Sequence, residues 1–481
     1  MARRWWAASC AGIATAVALT VAGCASEISG TATSIYDDPF RVAGLPATSG
    51  PSGIRPGVPD AVREVKGGDG GPIDTAAVNA INDIEKYWHQ WYPELFDEKF
   101  EPVTALLSWD PFEEDGVEFC GVSSEKLVNA GYCLDDHSIG WDRAVLMPQV
   151  SETFGIVAMV FVLAHEYGHA IQTTSRTAGV RDHFVREQQA DCYAGAFMRH
   201  IAEGNAAHFQ LNTSEGLHKV LASAVAIGDT DPNNPDNVHG SAFERVTATQ
   251  IGFTEGPATC VRIDAEEIAS RRADLPHRFD DPDDDGELPI TEQSIRAFVA
   301  SIEQVLGLEN PPTLVLDGAD LGCSDARATD PVSYCPSTNT IGVNVPELAR
   351  RGTPEEPTRR ELFAANVTGD YNGYVLLVSR YTLALQQQRG DDLHSPQTAM
   401  RAACLSGVVT RALSPEHPER LPAGSVWLSP GDLDEAVSGL LSDGLAASDV
   451  NGKTVPSGFS RVDAFRTGVL SGDDVCETRY R

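Results

Sequence analysis

The chain has 481 residues, long enough for two or three domains that each bury a core. Its 36 Lys and Arg stand against 69 Asp and Glu, a net charge of −33. So acidic a surface repels phosphates and excludes nucleic acid as an expected partner, while saying little about fold.

Arg3 and Arg4 precede an apolar run over residues 11–22, too short for an ordinary membrane span. Leu19-Thr20-Val21-Ala22-Gly23-Cys24 resembles a bacterial lipobox. That resemblance implies a lipoprotein signal peptide over residues 1–23, acylation of Cys24, and an extracytoplasmic chain lipid-anchored to the cell membrane. Residues 24–72 are rich in Gly, Pro, Ser and Thr and read as a flexible tether.

A first domain is expected over residues 73–266. Residues 154–164 are almost wholly apolar and run into His165-Glu166-Tyr167-Gly168-His169, which predicts a buried helix over 154–172. Histidines four apart leave the same helix face, so His165 and His169 can reach one ion. Glu166 lies beside them, where a base for a metal-activated water belongs. A second helix is expected over 184–198, with Glu187 as third ligand and Asp191 one turn on, placed to hydrogen-bond a ligand histidine. This set offers the three protein ligands and the general base of a site for one zinc ion. His239 is the first candidate for an oxyanion donor, followed by Tyr193 and Arg245. Asp229 reads as a structural cap.

Together these runs, with Glu187-Gln-Gln-Ala190-Asp191-Cys192-Tyr193-Ala194-Gly195, Ile227-Gly228-Asp229, His239-Gly240-Ser241 and Arg245, resemble the bacterial neutral zinc metallopeptidase family of gluzincin type. The similarity covers residues 154–260 and the region around Cys133. With the lipobox, the whole chain resembles an actinobacterial lipoprotein peptidase. The resemblance implies that His165, His169 and Glu187 bind zinc, that Glu166 is the catalytic base, and that peptides or proteins are the substrate. Ala170, where the family often has a second His, and Asp229-Thr230-Asp231 depart from its pattern without touching a ligand. Two rival classes are a zinc amidase acting on cell-wall peptides and a binding lipoprotein with a structural zinc.

Residues 267–289 read as an acidic linker. Within it Asp281, Asp283, Asp285, Gly286 and Glu292 match the spacing of a calcium loop over residues 281–292, although Pro282 and Pro289 spoil it and Thr291 suits a helix N-cap. Residues 290–481 echo the first domain. Tyr132-Cys133 recurs as Tyr334-Cys335, and Arg245, Gly252 and Cys260 recur as Arg461, Gly468 and Cys476. The expected fold is therefore α+β, two tandem copies of a zincin-like domain with a helical catalytic centre and a small β region. The second copy is degenerate, with Ser379, Arg380 and Leu383 in place of His165, Glu166 and His169, and Ala399 and Ala403 near the places of Glu187 and Asp191. In an exported chain the eight remaining cysteines are expected as disulfides. The repeat favours pairing within each copy: Cys120–Cys133, Cys192–Cys260, Cys323–Cys335 and Cys404–Cys476.

Overall fold

The computed structural model describes residues 37–175, 182–227, 239–272, 286–353, 362, 369–414, 426–429 and 431–481. The expectations for the signal segment, Cys24, Asp229 and residues 281–285 of the calcium loop lie outside the described residues. The chain is α+β. No helix among the described residues is long and apolar enough to cross a membrane.

The first half begins with four short strands, β1 (Arg41–Val42), β2 (Leu45–Pro46), β3 (Gly53–Ile54) and β4 (Val65–Lys66). Helix α1 (Pro72–Phe96) follows, then β5 (Leu106–Trp109), β6 (Glu118–Phe119), β7 (Val122–Ser123), β8 (Ala130–Cys133) and β9 (Ser138–Asp142). The helical part comprises α2 (Leu146–Phe154), α3 (Ile156–Thr174), α4 (His183–Ala202), strand β10 (Phe209–Gln210), α5 (Glu215–Ala226), α6 (Ala242–Glu255), α7 (Pro257–Cys260) and α8 (Ala265–Arg272). Helix α1 starts on Pro72, where a missing N–H costs nothing, and buries Ala77, Ile81, Ile84 and Trp88 at helical spacing.

The second half runs α9 (Glu292–Leu306), β11 (Thr313–Val315), β12 (Val332–Cys335), β13 (Thr340–Val343), α10 (Val345–Arg351), α11 (Asp370–Gln388), α12 (Pro396–Ala412), α13 (Asp432–Ser442), α14 (Gly458–Ser471) and α15 (Asp473–Arg479). Thr291 caps α9, its side chain accepting from the Ser294 amide, as its place before the helix suggests.

The halves share a strand pattern. In the first, the order is β4-β5-β9-β8, with β5 parallel and β8 antiparallel to β9. In the second, the order is β11-β13-β12, with β11 parallel and β12 antiparallel to β13. Cys133 pairs across from Ser138, and Cys335 from Thr340. Four disulfides join Cys120–Cys133, Cys192–Cys260, Cys323–Cys335 and Cys404–Cys476, the pairing that the repeat favours.

The helices pack by one device in both halves. A Cβ at Gly195 would overlap the Thr249 carbonyl, and one at Gly252 the Cys192 carbonyl. Gly407 meets Phe465, and Gly468 meets Cys404, in the same way. Bare backbone faces bare backbone between α4 and α6 and between α12 and α14, so each pair lies closer than side chains would allow. One apolar core runs through both halves. They join where α5 packs on α13 and α14, and α13 on α6.

Three boundaries differ from expectation. From residue 37 on, the expected tether is folded. Val42 is fully buried, β3 pairs with β10, β4 joins the main sheet, and the Ser460 hydroxyl donates to the Arg41 carbonyl. Two-residue strands carry no periodicity, and their partners lie far away in sequence. The expected linker from residue 267 begins as the packed helix α8, in which Arg271 is buried beside Glu267 and Gln188. The helix expected over 154–172 is α3, starting two residues later: Gly155, at φ 90°, ends α2 at Phe154 and precedes α3.

Candidate metal centre

Helix α3 is apolar around most of its circumference and almost entirely buried. It carries His165 and His169 on one face, opposite α4. The two helices touch at Gly168, where a Cβ would lie 2.9 Å from the Ala190 Cα. This contact brings Glu187, one turn before Ala190 on α4, up to both imidazoles.

Donor atoms of His165, His169 and Glu187 all lie within 4.8 Å of one another. His165 Nε2 is 3.1 Å from Glu187 Oε2, and His169 Nε2 is 3.4 Å from Glu187 Oε1. A tetrahedral ion with bonds of about 2.0–2.1 Å separates its ligands by roughly 3.3 Å, so these spacings fit zinc. The remote ring nitrogens are already engaged. His165 Nδ1 meets Asp191 Oδ1 at 2.8 Å, and His169 Nδ1 meets Gln172 Oε1 at 3.1 Å. Each imidazole therefore has its Nε2 left to face an ion.

The supports are themselves held. Arg245, from α6, grips Asp191 with two hydrogen bonds of 2.8 Å. Gln172 donates to the Arg186 carbonyl at 2.7 Å. Burial opposes a charge on His165, but the Asp191 and Glu187 carboxylates outweigh it and hold the imidazole up at about 10. Burial likewise opposes ionised Asp191 and is overcome by Arg245 and His165, which bring it down to about 2. Glu187 is buried too, yet hydrogen bonds from His165 and His169 hold it far below the usual carboxylate range.

Glu166 is half-buried at the side of this cluster. The Tyr132 amide, on edge strand β8, donates to its Oε2 at 3.1 Å and fixes the carboxylate. A cavity of about 280 Å³ opens there, lined by His165, Glu166 and His239 and by apolar Phe161, Val162 and Leu362. His239 thus reaches the same cavity as Glu166, and its carbonyl accepts from Gln188. Tyr193 does not belong with it. Its ring is buried edge-on against Trp88, with centroids 5.1 Å apart, because its side of α4 packs on α1. Arg245 lines the cavity but is bound to Asp191, so its place is behind His165 and not that of a free oxyanion donor.

Three contributors escape sequence reasoning. The Tyr132 amide carries no side-chain signal. Gln172 could have been found, three residues after His169 on the same helix. His183, with Nδ1 3.5 Å from Glu187 Oε1, could have been found one turn before Glu187. The second half holds no such set at the matching places. Ser379 is buried, and the Arg380 guanidinium is sealed against the carbonyls of Val332 and Leu445 and the hydroxyls of Ser379 and Ser448, with no access to a substrate carboxylate. Glu292 opens α9 in its first turn, and Glu287 accepts from the Asp370 amide.

No family model matches the chain, and no solved structure matches it. It is similar to uncharacterized proteins of Mycobacterium tuberculosis and Mycobacterium bovis, at 29% identity over 31% of this chain. The match spans 59% of those relatives' length.

Proposed function

We propose that the chain is a zinc metallopeptidase of gluzincin type, membrane-anchored through Cys24 and acting outside the cytoplasm, with an active first copy and a degenerate second. The observation that carries this reading is the convergence of His165 Nε2, His169 Nε2 and Glu187 beside a carboxylate, Glu166, that an amide holds in place. Four disulfides support an oxidising compartment.

Bound zinc would supply Lewis acidity and a water that ionises near neutral pH. Glu166 stands beside this set as the group that would take up a proton during attack on a peptide carbonyl and hand it to the leaving amine. The Tyr132 amide keeps the Glu166 carboxylate turned toward the cavity. Asp191 and Gln172 fix both imidazole planes, which keeps their Nε2 lone pairs aimed at one point. His239 is placed to donate to the developing oxyanion. A site built only for structure would ordinarily have four protein ligands, whereas three are gathered here with a carboxylate at their side.

The test is zinc content of the purified chain beside Glu166→Gln, His169→Ala and Glu187→Ala, with hydrolysis assayed on unfolded protein and on muropeptides. About one zinc per chain is expected, lost in the last two variants. Glu166→Gln should keep the metal and lose about a hundredfold or more in rate. A folded chain that takes up no zinc overturns the reading. Cleavage of muropeptides alone would move it to an amidase, and zinc without any hydrolysis would make it a binding lipoprotein.

A further inference from the structure

The first turn of α6 is shared between the two halves. Ser241 and Glu244 form a capping box, in which the Ser241 hydroxyl accepts the Glu244 amide and the Glu244 carboxylate accepts the Ser241 amide. The remaining early donors turn to the second half. Asp434, buried in the first turn of α13, accepts the Phe243 amide at 2.9 Å, and the Ala242 amide and Ser241 hydroxyl face the same carboxyl. An anion at this end also complements the helix dipole.

The same helix carries the metal centre's support. Just past the capped turn, Arg245 grips Asp191, which holds His165. Just before the helix, the chain passes through Gly240, at φ 95° and hemmed in by Phe184, to His239 in the cavity. Movement of the start of α6 would therefore displace two sets of site contacts together.

The matching contact on the other side of the junction is chemically different. His218 of α5 lies against Gly458 at the start of α14, near Arg461, and its Nδ1 is buried with no hydrogen-bond partner. An anionic cap is thus supplied toward the half that carries the histidine pair, while an imidazole occupies the reciprocal place.

We infer that Asp434 is a positioning residue for the metal centre: through this carboxylate the second half fixes the start of α6, and with it Arg245, Asp191 and the His165 imidazole. The inference rests on the zinc reading of that centre. It gives the second half a function that needs no ligands of its own.

The test uses the full chain and the variants Asp434→Ala, Asp434→Asn and His218→Ala. Zinc affinity is read by chelator competition, and amide exchange over residues 242–246 by mass spectrometry. Asp434→Ala should bind zinc about fivefold more weakly, the stability cost of a lost helix cap being carried through to the site, and exchange faster over those residues. Asp434→Asn keeps an acceptor and should stay within about twofold of the parent. His218→Ala loosens the same junction elsewhere and should leave zinc affinity unchanged. Parental affinity and exchange in Asp434→Ala would overturn the inference, as would equal weakening in His218→Ala. If Asp434→Ala does not fold, Asp434→Ser carries the same comparison. Absence of zinc from the parent would refute the metal reading alone, because exchange over residues 242–246 still judges the coupling.

Discussion

Arg245 and Arg461 occupy matching places on α6 and α14, and their partners differ completely. Arg245 ends on the Asp191 carboxylate, which passes its hold to His165. Arg461 ends on the carbonyls of Leu440, Leu441 and Val455, with Ala403 standing where Asp191 would be. Around both, the glycine contacts are alike, as are the disulfides that tie α4 to α7 and α12 to α15. The difference teaches that the helix skeleton does not depend on the polar cluster it encloses. In the first half the buried polar groups are linked to one another and to a point in space. In the second, the buried Arg461 and Arg380 turn to main-chain carbonyls.

The comparison breaks most sharply at the shared skeleton. Gly252→Ala and Gly468→Ala each press a methyl into a carbonyl on the facing helix and should destabilise by about 3 kcal/mol or more. Urea unfolding of the two variants checks this, and a large cost in only one half would show that the packing device is not equivalent. Arg380→Met comes next. It keeps volume but strands the carbonyls of Val332 and Leu445, at a cost of about 2–3 kcal/mol, while zinc uptake stays as in the parent. Loss of zinc in this variant would mean that the second half's buried cation acts at the first half's centre.

The smallest expected effect is one of pH, and the buried carboxyls of the two halves contribute to it with opposite sign. Asp191 and Glu187 are held low, so their stabilisation is present above the ordinary carboxylate range and fades as pH falls toward about 2. In the second half, burial followed by the charges of Glu287 and Asp370 raises Glu435 to about 8, and burial raises its buried neighbour Asp432 as well. A raised carboxyl stabilises fully below its unfolded value and loses that contribution as pH climbs through its folded one. The metal-free chain should therefore lose about 1 kcal/mol or more between pH 5 and pH 8, with His165, held up at about 10, adding to the loss, and Glu435→Gln should make the slope shallower. Denaturant midpoints across that range decide it. A flat profile in the parent would remove the contrast.

The convergence of His165 with His169 was legible because a spacing of four is a local instruction, and Glu187 with Asp191 repeats it on the next helix. The disulfide partners were legible from order alone. What escaped depends on distant chain. Asp434 meets Phe243 across 191 positions, and nothing near either residue announces it. Tyr132 contributes a backbone amide, which composition cannot flag. Residues 37–66 looked like linker because Gly and Pro dominate them, yet Thr48 and Thr213 exchange hydrogen bonds across 165 positions and the Arg55 amide donates to the His208 carbonyl. Gly155 starts α3 two residues later than the apolar pattern suggests.

The clasp between the Arg41 carbonyl and Ser460 spans 419 positions, and Asp37 pairs with Arg479 across 442. A chain emerging from its N-terminus makes one jaw of that clasp more than 400 residues before the other. The β1–β2 hairpin can meet Arg199 and Thr213 once residues 199–213 have appeared, but its contact with α14 waits for residue 460, an entropic delay set by loop length and not by local propensity. Biogenesis, more than finished stability, is where this architecture is exposed: residues 460–479 must appear before Asp37 and Arg41 gain their last partners.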